Sequence, residues 1–311
     1  MKNRIELRHL RYFVAVAEEK SFTRAAERLH MQQPPLSQQL RALESQLGTR
    51  LFDRQPRGVE LTAAGAAFLE DERDVLASVT SAEERAKRVG SGIEGTLAIG
   101  LASSAATHAI VPSLIAAFRE RHPAVHLVFV EGNAATLTEA IVDRSADVAL
   151  LRAPVDHPPE VRFQRLLEEP MLAAIAHSHP LAQKAANRNP PWISLQELGT
   201  SPLILTRRPG APGMYADLLE ACAEAEITPT IAAEVGNMLT NILMVAAGVG
   251  VSVVPASMNG IQSGLVRYVP LKGAGKLAAP LTVLYRREES NPAVARFMAQ
   301  ARELSRNGVG V

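Results

Sequence analysis

Three apolar stripes at helical spacing follow one another at the start of the chain. Leu10, Phe13, Val14 and Ala17 form the first, Phe22, Ala25, Ala26 and Leu29 the second, and Leu36, Leu40, Leu43 and Leu47 the third. Ser21 is placed to cap the second helix and Gly48 to stop the third. Only His30 to Gln33 separate those two helices, and Pro34-Pro35 fit the first turn of the third, where a missing N–H costs nothing. Two short helices joined by a tight turn predict a helix-turn-helix. The stretch from Arg50 to Leu61 reads as two short strands around a turn at Pro56 and Gly58, a wing. From Thr62, an N-cap residue, to about Gly90 the chain is helix-forming. Leu61, Phe68, Val75, Ala82 and Val89 recur every seven residues, with Val79 and Ala86 in a second row, and this spacing predicts a helix that pairs with another.

Beyond Gly95 the periodicity alternates between strand and helix. Strands are expected at 96–101, 125–131, 147–151, 172–176, 203–205, 231–235, 251–254 and 281–285, with crossover strands near 163–167 and 265–269. Helices are expected near 109–121, 136–144, 215–225, 238–247 and 292–305. Such alternation implies an α/β architecture with largely parallel sheets.

Charge alters the functional reading of this layout. The 311 residues carry 33 Lys and Arg against 32 Asp and Glu, a net +1 that by itself suggests no polyanionic partner. The charge is unevenly spread. Residues 1–58 hold eleven Lys and Arg against six Asp and Glu, a surplus of +5, whereas the remainder carries −4. On the third helix the face opposite the leucines presents Pro34, Gln38, Arg41 and Ser45, with Gln33 and Ser37 at its N-terminal shoulder, and Pro35 is expected at the DNA with them. Gln pairs bidentately with an adenine edge, Ser donates or accepts, and Arg reaches guanine or phosphate. Arg50, Arg54 and Arg57 on the wing are placed for phosphates, which position a protein without reading sequence. The partner expected is double-stranded DNA.

The segment from Leu10 to Gly65 closely resembles the LysR-type transcriptional regulators. The resemblance is carried by Ser21-Phe22-Thr23-Arg24-Ala25-Ala26-Glu27-Arg28-Leu29, Gln33-Pro34-Pro35-Leu36-Ser37, Leu43-Glu44, Leu47-Gly48, Leu51-Phe52-Asp53-Arg54 and Leu61-Thr62-Ala63-Ala64-Gly65. It implies a winged helix-turn-helix domain over residues 1–61, a linker and dimerisation helix with a hinge over 62–92, and an effector-binding domain over 93–311. The last would be two-lobed α/β, like the type 2 periplasmic binding proteins, with one lobe about 93–163 and 268–311 and the other about 164–267. It further implies a homo-oligomer, dimeric through the linker helix and tetrameric overall, that activates a divergent operon.

In such sheets, ligands bind at strand C-termini and helix N-termini, where backbone N–H groups attract anions. Ser103 and Ser104 follow the first strand of the larger region, and by the resemblance bind a small effector, often a carboxylate. Asn133 and Ala134 form the matching loop after the second strand. Arg152 ends another strand, Thr206 and Arg207 begin a loop in the other lobe, and Met238 opens a helix facing the expected cleft.

Other chemistries find little support. Gly90 to Gly95 spells GxGxxG, but it follows a helix and precedes a strand, the reverse of the order a dinucleotide site needs. Gly248 and Gly250 likewise sit between a helix and a strand. No GxSxG surrounds a serine, so no catalytic residue is expected. His177 and His179 lack further ligands, and neither metal nor cofactor is expected. The lone Cys222 reads as a buried thiol, and the Ser194 to Glu197 pattern as a capping box. With no apolar run of about 20 residues and a charged N-terminus, a cytoplasmic protein with no membrane contact is expected.

Overall fold

The computed structural model describes residues 5–55, 58–206, 215–274 and 277–306. The chain divides into two compact units, Met1–Arg88 and Val89–Val311.

In the first unit α1 (Leu7–Glu19), α2 (Phe22–Arg28) and α3 (Gln33–Leu47) are followed by a hairpin of β1 (Phe52–Gln55) and β2 (Gly58–Leu61) and then by α4 (Ala63–Gly90). The strands pair antiparallel, Phe52 opposite Leu61. The three apolar stripes meet in one core, where Phe13, Val16, Ala25, Leu36, Leu40 and Leu43 are all but inaccessible. Phe13 stacks edge-on against Phe68 at 5.0 Å and lies 5.2 Å from Phe52, so one ring joins α1, the wing and α4. Ser21 Oγ accepts the Arg24 N–H, and Gly48 takes the left-handed conformation that ends α3. Thr62 Oγ1 accepts the Gly65 N–H and donates to the Arg50 carbonyl, which caps α4 and ties it to the wing. Gly65 is required there, because a Cβ would stand 2.0 Å from the Leu51 carbonyl oxygen.

The second unit follows the order β3 (Gly95–Leu101), α5 (Ser103–Ala106), α6 (Ile110–Arg121), β4 (Val125–Glu131), α7 (Ala134–Val142), β5 (Val148–Leu151), β6 (Val161–Ala176), α8 (Pro180–Ala186), β7 (Ile193–Ser194), α9 (Leu195–Gly199), β8 (Leu203–Thr206), α10 (Ala216–Glu224), β9 (Ile231–Val235), α11 (Met238–Ala246), β10 (Ser252–Pro255), β11 (Val266–Lys272), β12 (Ala278–Arg286) and α12 (Pro292–Arg306). Its main sheet runs β4-β3-β5-β12-β6-β11-β7, with β10 also on β6, while β8 and β9 pair separately.

Two cores make it two-lobed. Leu97, Ile99, Leu114, Phe118 and Phe297 belong to the first, and Ile175, Leu205, Tyr215, Ile242 and Val253 to the second. Two expectations need correction. The sheet is mixed: β3 pairs parallel with β4 and β5, but β12 is antiparallel to β5 and β6, and β10 and β11 are antiparallel to β6. The chain passes between lobes through strands, and among the described residues no helix lies between β11 and β12 to reverse direction. The separate strands near 163–167 and 172–176 are one strand, β6. Pro170, which has no N–H to donate, lies where β6 leaves β12 for β10 and β11. The second core reaches Ala279, because β11 stays on the distal half of β6.

The glycine motifs are structural. Gly92, at φ +70°, lies so close to Pro292 and Ala293 that a Cβ would be 2.7 Å from their backbone. Gly248, at φ +76°, follows the end of α11. Among the described residues no helix is long and apolar enough to cross a membrane.

Candidate functional site

The polar face of α3 is built by its two ends. Gln32 enters in an extended conformation without a side-chain cap, so Pro34 and Pro35 fix the first turn. Leu36, Leu40 and Leu43 anchor one side; Gln33, Pro34, Pro35, Gln38, Arg41 and Ser45 are exposed on the other, with Ser37 half-buried beside them. Arg50 is exposed on the approach to the wing. Arg54 is committed more than the sequence suggests: its Nη2 donates to Ser37 Oγ at 3.0 Å and its guanidinium lies 5.0 Å from the Phe22 ring centroid. It thus braces wing against helix as well as offering charge. Arg57 lies outside the described residues.

Glu44 was not foreseen as a positioning group. One of its carboxylate oxygens accepts both the Leu51 and Phe52 N–H groups, at 2.8 and 3.1 Å, and so sets the angle between α3 and the wing. Glu44→Ala leaves two backbone donors without partners and is expected to cost about 2 kcal/mol. Urea unfolding of the N-terminal unit measures this, and an unchanged midpoint would refute it.

On α4, Phe68 and Leu69 pack against the unit's core. Farther along, Val75 and Val89 are more than 40% exposed and Ala82 and Ala86 are exposed, so much of the heptad stripe is uncovered in the single chain. Glu72, on the same row as Val79 and Ala86, is buried. Burial first, and then the nearby Asp71, raise its pKa above the usual carboxylate value.

A cavity of about 880 Å³ separates the lobes of the second unit, and Ser103, Ser104, Asn133, Ala134, Arg152, Thr206 and Met238 all line it. Arg207 lies outside the described residues. Ser103 and Ser104 open α5 on one wall. The start of α7 stands on the same side and that of α11 on the other, at Gly236 to Leu239. Two of the lining side chains have structural duties. Asn133 Oδ1 accepts the Ala135 and Thr136 N–H groups and caps α7. Met238 is buried with its sulfur 3.6 Å from Thr206 Oγ1 and 3.7 Å from the Tyr215 hydroxyl.

Arg152 dominates the electrostatics of the cavity. It is 4% exposed, its Nε and Nη2 donate to the Ser104 carbonyl, and Nη2 is paired with Glu169 Oε1 at 2.6 Å. Burial lowers its pKa while Glu169 opposes the change. Its Nη1 is buried without a partner. His108 is buried nearby, and desolvation lowers its pKa. Glu169 and Ser257, which complete this network, were missed in the sequence; the only cues were a Glu-Glu-Pro run and a Pro-Ala-Ser turn after a strand.

Elsewhere, His179 caps α8 through its ring nitrogen, and the Ser194–Glu197 box is formed. Among the described residues no group of three or more His, Cys, Asp or Glu is placed to hold a metal. Cys222 is buried, and desolvation raises its thiol pKa.

Known proteins resemble this chain over most of its length. Residues 7–66 match the family described as "Bacterial regulatory helix-turn-helix protein, lysR family", and residues 90–306 match the "LysR substrate binding domain". The uncharacterized HTH-type transcriptional regulator YnfL of Escherichia coli K12 is 41% identical over 293 residues, 94% of this chain and 96% of its own. The HTH-type transcriptional regulator BudR of Raoultella terrigena is 40% identical over 94% of this chain and 99% of its own. Among solved structures, full-length CbnR complexed with its target DNA superposes with a TM-score of 0.77 at 28% identity, covering 97% of this chain and all of that one.

Proposed function

Because the chain belongs to the LysR family of DNA-binding transcriptional regulators, we propose that residues 1–61 read promoter DNA, residues 62–92 pair two subunits, and residues 93–311 sense a small anion. The family assignment makes the chain a regulator and not an enzyme. In the proposed reading Gln33, Pro34, Pro35, Ser37, Gln38 and Arg41 enter the major groove, with Gln38 and Arg41 on base edges. Arg50, Arg54 and Arg57 hold phosphates. The uncovered stripe of α4 supports a dimer, since an apolar row left in water is stabilised by a second helix. Two dimers then form the tetramer on paired half-sites, in the cytoplasm, activating a divergent operon.

The observation that carries the sensing role is the unpartnered Nη1 of Arg152 in a cleft that Ser103 and Ser104 also line. A buried guanidinium N–H without an acceptor costs free energy that a ligand carboxylate recovers. Ser103, Ser104 and the backbone at Ala134 contribute hydrogen bonds, and Thr206 and Met238 close the far wall; Arg207 is proposed as a further effector contact. Asn133 acts by capping α7. The effector stabilises one arrangement of the two lobes and so alters the spacing of the paired DNA-binding units on bent DNA.

Two substitutions separate the functions. Gln38→Ala is expected to weaken operator binding about 10- to 100-fold, the worth of a bidentate base contact, while leaving effector-induced thermal stabilisation intact. Ser104→Ala is expected to do the reverse. A thermal-shift panel of acetate, benzoate and succinate, run beside operator mobility shifts, reads both. Identical behaviour of the two variants in both assays would defeat the assignment.

A further inference from the structure

Ser257 sits in the turn that follows β10, outside the residues expected to touch an effector. Its N–H and Oγ both donate to the carboxylate of Glu169, at 2.6 and 2.8 Å, so β6 fixes it firmly. Glu169 is itself buried. Ser257 Oγ also accepts from Arg152 Nη2 at 2.8 Å and lies 3.1 Å from Thr107 Oγ1. Arg152 directly follows β5 and Thr107 caps the C-terminus of α5, both in the first lobe, whereas the turn carrying Ser257 belongs to the second, with Met258 in its core.

Hydrogen counting makes the Thr107 contact conditional. The one proton of the Ser257 hydroxyl is given to Glu169, so Ser257 has none left for Thr107. Thr107 must therefore donate if the two hydroxyls are to bond. Its own single proton also faces the Ser104 carbonyl at 2.8 Å, an oxygen that already accepts twice from Arg152. The Thr107 hydroxyl thus has two competing acceptors. One lies within its own helix, beside the serines that line the cleft, and the other lies across the interface between lobes.

We propose that Thr107 and Ser257 form a breakable latch through which the second lobe registers the position of α5. With the latch made, Thr107 donates to Ser257 and the lobes are held together at the cleft floor. With it released, the proton turns to Ser104 and the hydroxyl bridge between Thr107 and Ser257 is lost, while Ser257 keeps its bonds to Glu169 and Arg152. A ligand that moves Ser103 and Ser104 by tenths of an ångström changes which acceptor is nearer. Ser257 is therefore a positioning residue for the response and touches no ligand itself. The proposal rests on the cleft being the effector site.

Hydrogen–deuterium exchange on the ligand-free full-length chain tests it. Thr107→Val removes the donated proton and leaves the Arg152–Glu169 pair intact. It is expected to speed exchange in the turn at residues 256–262 about tenfold, with Thr107→Ser restoring the native rate. Ser257→Ala is expected to speed exchange at residues 103–108 by a similar factor, and the double variant to be no faster than either single one. Unchanged exchange across the cleft in both single variants, or independent additive effects, would overturn the latch. Because no ligand is present, such a failure leaves the effector reading standing. That reading fails separately if Ser104→Ala leaves the acetate, benzoate and succinate thermal shifts unaltered.

Discussion

Removal of residues 1–61 is expected to lower affinity for operator DNA by at least about 1,000-fold, the usual gap between specific and nonspecific binding, while the remaining chain stays folded. The loss follows from where the chemistry lies. Residues 1–58 carry all of the surplus +5 charge, and the exposed face of α3 carries the side chains able to read bases. What remains is α4 and a compact unit with two cores of its own, together mildly acidic in balance. Mobility shifts with full-length and truncated protein, alongside a circular-dichroism melt of the truncated form, measure both parts. Retained operator affinity in a folded truncated chain would relocate the reading surface to the second unit.

Arg152→Ala is expected to cost about 3–5 kcal/mol, the penalty for leaving a buried charge without its partner. The substitution strands the carboxylate of Glu169, which is 8% exposed, and releases the Ser104 carbonyl that anchors α5. For a unit of this size the effect amounts to a fall in Tm of about 10 °C. Adding Glu169→Gln removes the stranded charge and is expected to restore a substantial part of the loss. Differential scanning calorimetry of the single and double variants decides this, and a double variant less stable than Arg152→Ala would show that the pair is not the dominant interaction.

The first unit was legible almost to the residue because its signals are local. Leucine spacing, the Ser21 and Thr62 caps, the Pro34-Pro35 entry and the Gly48 stop each act within one or two turns, and each is found where expected. Helices of the second unit were placed within about two residues for the same reason, but α5, α8 and α9 are too short to display a period. Strand direction was not legible. Nothing in the apolar runs of β6 and β12 distinguishes a strand that crosses between lobes from one that ends within its own, and the pairing is set by partners distant in the sequence.

The same limit applied to the cleft. Ser103, Ser104 and Arg152 could be proposed because each follows a strand, whereas Glu169 and Ser257 acquire meaning only when β6 and the turn after β10 bring them to Arg152, from 17 and 105 residues away. Arg54 shows the converse. Its charge was read correctly, yet its bond to Ser37 and its place over Phe22 depend on packing that no spacing rule describes.

The central claim is that the α3 face and the wing of a paired regulator hold DNA through a small, countable set of charges. A salt titration of the mobility shift, using DNA from immediately upstream of the protein's own gene, tests it most directly. With three wing arginines from each of the four subunits of the proposed tetramer on phosphates, the logarithm of affinity is expected to fall with the logarithm of salt concentration at a slope of about −11, and Arg50→Ala is expected to make the slope shallower by about 4. A slope near zero, or one that Arg50→Ala leaves unchanged, would contradict the account.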